Sequence, residues 1–236
     1  MEGFTYHNIF ETKGIEYIVI IGFLILIIPF WFIINKKNPV VKRIQNTISS
    51  ISARLLRIPA GLLFGKNHMW AFMGSDGKAK IGVDDFLVQV VGEFDIVPLK
   101  SIGEHVKAGE KLAIVKRKGK QLNLTSPVSG EILDVNASVF ESSEMISDDP
   151  FKTGWLFSVK PNNWKIEMNR GMIGDEAVSW FGQEVDRFKD FLAVSLKKNT
   201  PDASLVALQE GGEIRSKVLA ELDNDIWRDF ENEFLQ

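Results

Sequence analysis

Apolar positions change their spacing several times along the chain, and each change predicts a different element. Residues 1–14 are a short polar leader. From Tyr17 to Ile34 follows a nearly pure apolar run, Tyr-Ile-Val-Ile-Ile-Gly-Phe-Leu-Ile-Leu-Ile-Ile-Pro-Phe-Trp-Phe-Ile-Ile. That length predicts one bilayer-spanning helix over residues 15–35, with Tyr17 and Trp31 near its two ends and Pro29 kinking its last turns. A cleaved signal peptide fits less well, because no basic region precedes the run and no small-x-small site follows it. In the next segment, 36–65, Val41, Ile44, Ile48, Ile51, Leu55 and Ile58 recur at helical spacing while Lys42, Arg43, Arg54 and Arg57 take other faces. The pattern predicts a basic amphipathic helix over residues 40–58, lying on an anionic leaflet or packed on a partner subunit. Pro59-Ala60-Gly61 ends it.

Residues 66–161 switch to short alternating runs separated by glycine turns at Ser75-Asp76-Gly77-Lys78, Ile102-Gly103-Glu104 and Lys107-Ala108-Gly109-Glu110. This predicts a mainly β domain, a flattened barrel or sandwich of two small sheets. Val88, Val90, Val91, Phe94, Ile96, Val97, Leu99, Leu112, Ile114, Ile132 and Val135 are its candidate core, with Trp70 and Trp155 as packing anchors. Residues 162–236 return to helical spacing. One helix is expected from about Glu176 to Lys198, with Asp175 or a neighbour capping it and Val178, Phe181, Val185, Phe188, Phe191, Leu192 and Leu196 on its apolar side. A second is expected from Ile214 to Phe234, in an acidic stretch, as a cap on the barrel, a docking surface or a solvated appendage.

Charge adds an orientation. From Lys36 to Lys66 there are seven basic residues and no Asp or Glu, whereas the leader and helix start carry Glu2, Glu11 and Glu16 against Lys13. The positive-inside rule puts the leader outside and the main domain in the cytoplasm, as a single-pass inner-membrane protein. A net charge of −3 argues against a general nucleic-acid partner. With no cysteine, disulfides, thiolate metal sites and cysteine nucleophiles are excluded. His7, His68 and His105 have no metal-ligand spacing. No phosphate loop and no Gly-x-Ser-x-Gly elbow is present. The acid pairs Asp84-Asp85 and Asp148-Asp149 do not by themselves establish acid–base catalysis. Nothing here assembles a catalytic site, and no enzyme is expected.

The stretch with the most local information is Val115 to Ile132. Lys118-Gly119-Lys120 marks the tip of a β-hairpin, where glycine supplies positive φ. Ser126-Pro127-Val128-Ser129-Gly130 then sets a second turn. A hairpin running into Pro-Val-Ser-Gly-Glu-Ile-Leu-Asp-Val-Asn resembles lipoyl and biotinyl carrier domains (the single hybrid motif), most closely the H protein of the glycine cleavage system. Further landmarks in order are His68-Met69-Trp70, Lys80-Ile81-Gly82-Val83-Asp84-Asp85-Phe86, Val91-Gly92-Glu93, Val106-Lys107-Ala108-Gly109-Glu110, Asp149-Pro150-Phe151 and Gly154-Trp155-Leu156. Together they cover roughly Lys66 to Pro161, and because the acid pairs Asp84-Asp85 and Asp148-Asp149 fall on turn landmarks, the resemblance implies turn and capping roles for them.

The resemblance implies a lipoyl-type fold and, in the family, a lipoyl group on a lysine eight residues before the proline of the Pro-x-Ser-Gly turn. Counting back from Pro127, that position is Gly119, and the acidic residue expected three positions earlier is Lys116. The expectation is therefore an unmodified domain without cofactor or metal, acting as a docking or structural subunit of a membrane-associated, redox or respiratory complex. Its partners are then the bilayer and other subunits. The alternative is a carrier of acyl, aminomethyl or reducing equivalents lipoylated on Lys118 or Lys120. A further alternative is an efflux-type adaptor, whose lipoyl-like domain lies outside the cytoplasm.

Overall fold

Alternating apolar positions build two antiparallel sheets whose inner faces meet in one core. The structure, a computed structural model, describes residues 10–34, 50–51, 56–199, 214–215 and 217–235. The chain divides into two units, Met1–Lys42 and Arg43–Gln236.

The first unit contains helix α1, Phe10–Ile34, with Pro29 inside it. Its described side chains, residues 17–30, are apolar and exposed around the helix, save half-buried Gly22. Among the described residues no helix is long and apolar enough to cross a membrane. The helix expected over 15–35 is present as far as Ile34.

In the second unit, the expected helix over 40–58 lies mostly outside the described residues. Where it is described, it differs. Ser50–Ile51 is a strand, β1, paired antiparallel with β11, Ile214–Arg215. Leu56 is buried and Ile58 packs on the core, without helical backbone at either position.

The larger sheet has six strands. They are β2 (Leu63–Phe64), β3 (Met69–Met73), β4 (Ala79–Val83), β10 (Trp155–Pro161), β9 (Gly130–Val135) and β6 (His105–Val106), in that spatial order. The smaller sheet is β5 (Asp95–Pro98), β7 (Lys111–Arg117) and β8 (Lys120–Thr125), with β7 in the middle. The mainly β sandwich expected from the pattern is thus present. Leu112, Val115, Leu122, Leu124, Ile132, Phe157 and Val159 point into the core. Val88, Val90 and Val91 are buried as expected, but on a helix, α2 (Asp85–Val91). Val97 and Leu99, expected in the core, are exposed. They sit on and just beyond the edge strand β5, where one face meets solvent.

Short helices α3 (Ala137–Glu141), α4 (Glu144–Asp148) and α5 (Trp164–Met168) fill the connections on either side of β10. Helix α6, Asp175–Asn199, matches the expected helix to within a residue at each end. Phe181, Val185, Phe188, Phe191 and Leu192 are buried along it, while Val178 is exposed. The helix expected over Ile214–Phe234 is instead three pieces: β11, a 3-10 turn at Val218–Glu221, and α7, Asn224–Phe234. Lys217 in the left-handed region and extended Leu222 interrupt the helical path. Trp227, Phe230 and Phe234 of α7 are buried, and Phe234 packs edge-on to Phe188 and Phe191. This tail is a cap built into the core rather than a solvated appendage.

Candidate functional site

The hairpin tip is a two-residue turn. Arg117 pairs with Lys120, leaving Lys118 and Gly119 as the corners. Both have positive φ, 47° and 80°. That is the primed-turn geometry whose twist matches the strands it joins, and it favours glycine at the second corner. Gly119 lies eight residues before Pro127 and has no amine. A Cβ built on it would meet nothing within 4 Å.

The four basic side chains of the tip separate into two kinds. Lys116 and Lys118 are exposed. Arg117 turns inward, donating from Nη1 to the carbonyls of Val91, at 2.8 Å, and Glu93. Lys120 also turns inward. Its ammonium donates to the carbonyl of Leu222 and, at 3.5 Å, to that of Ala220, and it sits 5.6 Å from the Trp227 ring centre. Burial pushes the Lys120 amine below its ordinary value, with Asp223 opposing. Of the four, only Lys116 and Lys118 are solvated charges.

The second turn is held from outside itself. Glu167 accepts from the Ser129 amide through both carboxylate oxygens, at 2.9 and 3.0 Å. Ser129 Oγ accepts from the Ala108 amide, and Ser126 Oγ donates to the Val128 carbonyl at 2.6 Å. These contacts fix the strand that leads from the tip back into the larger sheet.

Beneath β3 lies a buried charged cluster. His68, itself at φ 57°, places Nδ1 2.7 Å from Asp84 Oδ2 and Nε2 3.4 Å from Glu184 Oε1. Its ring stacks on Phe86. Burial pulls the imidazole down, but the charge and hydrogen bond of Asp84, with Glu184 adding to both, outweigh it and raise His68 to about 9. The cluster therefore holds an imidazolium between two carboxylates. Arg187 closes it from the surface, 2.9 Å from Glu184. Asp84 also caps α2, accepting from the Leu87 amide, and Asp149 accepts from the Phe151 and Lys152 amides. Those two carboxylates thus have the turn and capping roles expected of them. Asp85 does not. It is buried and takes Arg57, whose backbone N, Nε and Nη2 all donate to it at 2.6–3.0 Å. Among the described residues no His, Cys, Asp and Glu group is arranged to hold a metal ion.

Three of these features escape a reading of the sequence: the Arg57–Asp85 pair, Glu184 and the partners of Lys120. A signal existed for Glu184. It occupies the apolar stripe of α6, three residues after Phe181 and four before Phe188, where a charge demands a buried partner.

The model of the glycine cleavage H-protein family matches residues 62–183. The glycine cleavage system H protein of Methylococcus capsulatus is 34% identical over 106 residues, 45% of this chain and 83% of that protein. The H protein of Coprothermobacter proteolyticus is 34% identical over 128 residues, 54% of this chain and all of that protein. A crystal structure of a glycine cleavage system H protein from Mycobacterium marinum aligns with a TM-score of 0.45 at 28% identity, over 54% of this chain and 98% of that one. Proteins of the matched family are lipoyl carriers and not themselves enzymes. An amide-linked lipoyl group needs a primary amine, which Gly119 lacks and the exposed Lys118 beside it has. With a family match over half its length and relatives covered almost end to end, the chain belongs to the glycine cleavage H-protein family.

Proposed function

We propose that this chain uses its H-protein domain as an unmodified docking subunit of a membrane-associated complex. The carrying observation is Gly119 at the second corner of the tip turn, eight residues before Pro127. A side chain one position earlier leaves the strand pair in another direction, so Lys118 is a poor stand-in for a lysine at the apex. A domain that loses its prosthetic group keeps the surface by which family members meet their protein partners. Anchoring through the N-terminal helix is supported by the apolar side chains of residues 17–30, exposed around α1, an arrangement that water does not stabilise. The basic run Lys36–Lys66 supports a cytoplasmic position for the domain.

Intact mass of the chain purified from its own membranes tests the modification state. The unmodified mass is expected, and a lipoyl-sized increment overturns the reading. A reporter fused after Gln236 tests orientation. Activity confined to the cytoplasm is expected, whereas activity outside it favours the adaptor class.

A second reading has one observation in its favour. Lys118 is exposed at the first corner of the turn, so a carrier lipoylated there is the alternative, and the same mass measurement with peptide mapping identifies it.

A further inference from the structure

The family match ends at residue 183, and part of the chain beyond that point returns to the hairpin. Lys120 is fastened to the carbonyls of Leu222 and Ala220 and to the face of Trp227. Asn123, on the same strand, donates to Glu231 of α7 at 2.5 Å. Lys217 ties the segment to Glu93 at 2.6 Å and donates its amide to the Gln89 carbonyl. The segment is not a loose flap, because Trp227 is buried and its own Nε1 donates to Leu219 at 2.6 Å.

We propose that the C-terminal segment Lys217–Phe234 withholds Lys120 from acylating enzymes and reagents, so that Lys118 is the lysine of the Lys-Gly-Lys tip that accepts an activated acyl group. In such a step a neutral amine attacks the carbonyl carbon of an acyl adenylate or active ester. The N–C bond forms, the bond from carbon to the leaving oxygen breaks, the adenylate or N-hydroxysuccinimide departs, and the amine proton goes to solvent. Nζ of Lys120 must leave two carbonyls and an aromatic face before it can attack. Lys118 stands at the exposed corner and has no such step to make.

Protonation does not account for the difference. Burial pushes the Lys120 amine down, which by itself increases its neutral, reactive fraction, so slow reaction at Lys120 reports occlusion. The inference concerns which lysine can be reached and is independent of whether the cell modifies either one.

The test is limited acetylation of the purified full-length chain with the N-hydroxysuccinimide ester of acetate, with site occupancy read by peptide fragmentation. Lys118 is expected to react roughly tenfold or more faster than Lys120, the scale set by charged hydrogen bonds that must break first. In concentrated urea the ratio is expected to fall to about one, and Trp227→Leu is expected to narrow it in the native chain. Equal native rates overturn the proposal. So does a native preference that survives unchanged in urea, since the selectivity then lies in the local sequence.

Discussion

His68 and Glu184 meet across the end of the family match, with Nε2 3.4 Å from Oε1 and both side chains buried. With Asp84 on the other ring nitrogen, the imidazole joins β3, the cap of α2 and helix α6 in one charged contact. Removing one member strands the others without water. His68→Asn tolerates the left-handed backbone but leaves two buried carboxylates facing each other, and is expected to cost about 3–5 kcal/mol. Urea unfolding of the full chain checks this, and a loss under about 1 kcal/mol means that the cluster contributes little to stability.

The same cluster predicts an alkaline limit. The folded value of His68, about 9, lies above the ordinary 6.5. The protonated ring therefore stabilises the fold, fully so below about pH 6.5, and the contribution disappears as pH rises through about 9, while burial raises its partner Asp84. Glu184→Gln removes one of the two carboxylates, so the decline, which still begins near pH 6.5, should be smaller and end at lower pH. Melting temperature against pH distinguishes the two curves, and identical curves rule Glu184 out as a contributor.

Arg57 belongs to a segment whose pattern suggested a membrane-facing helix, yet its guanidinium is committed to a carboxylate that is 1% exposed. Arg57→Ala is expected to destabilise by about 3 kcal/mol, because Asp85 is left charged and buried. Adding Asp85→Asn should recover part of that loss, and a double-mutant cycle by thermal unfolding measures the coupling. Additive losses indicate that the pair does not act as a unit.

Two glycines near the tip should respond differently to alanine. A Cβ on Gly130 would collide with the Lys160 carbonyl oxygen, so β9 and β10 must separate to admit it. Gly130→Ala is expected to cost about 3 kcal/mol or more. Gly119→Ala meets no atom within 4 Å and costs only its positive φ, about 1 kcal/mol. Melting temperatures of the two variants rank them, and the reverse order contradicts the geometry.

Gly119→Lys carries the same backbone cost and supplies an amine at the second corner of the turn. In cells with lipoylating enzymes this variant is expected to gain a lipoyl-sized mass while the natural chain does not. If neither gains it, the tip lacks more than the lysine that the enzyme reads.

The two turns of the hairpin region and helix α6 were legible because their signals are local: Lys-Gly-Lys, Ser-Pro-Val-Ser-Gly, and an apolar stripe repeated over 25 residues. Helix α2 was not, since every residue of it except Gln89 is buried, and a short apolar run buried on nearly all sides has no readable period. The tail from Ile214 misled for a different reason. Its helical spacing is real over Ile226–Phe234, but Lys217 and Leu222 take the conformations that dock it on α2 and β8. The tip lysines could not be told apart by any sequence pattern, because what separates them is contact with residues about a hundred positions away.

That separation has a consequence for timing. Lys120 and Leu222 are 102 residues apart, and chains are synthesised at about 5–20 residues per second. During translation the hairpin can form on the order of ten seconds before its cover has been made. Through that interval Lys120 is as open as Lys118. On the proposed occlusion, a nascent chain thus presents both tip lysines where the finished fold covers one, and the period before the chain is complete is when Lys120 is most readily marked.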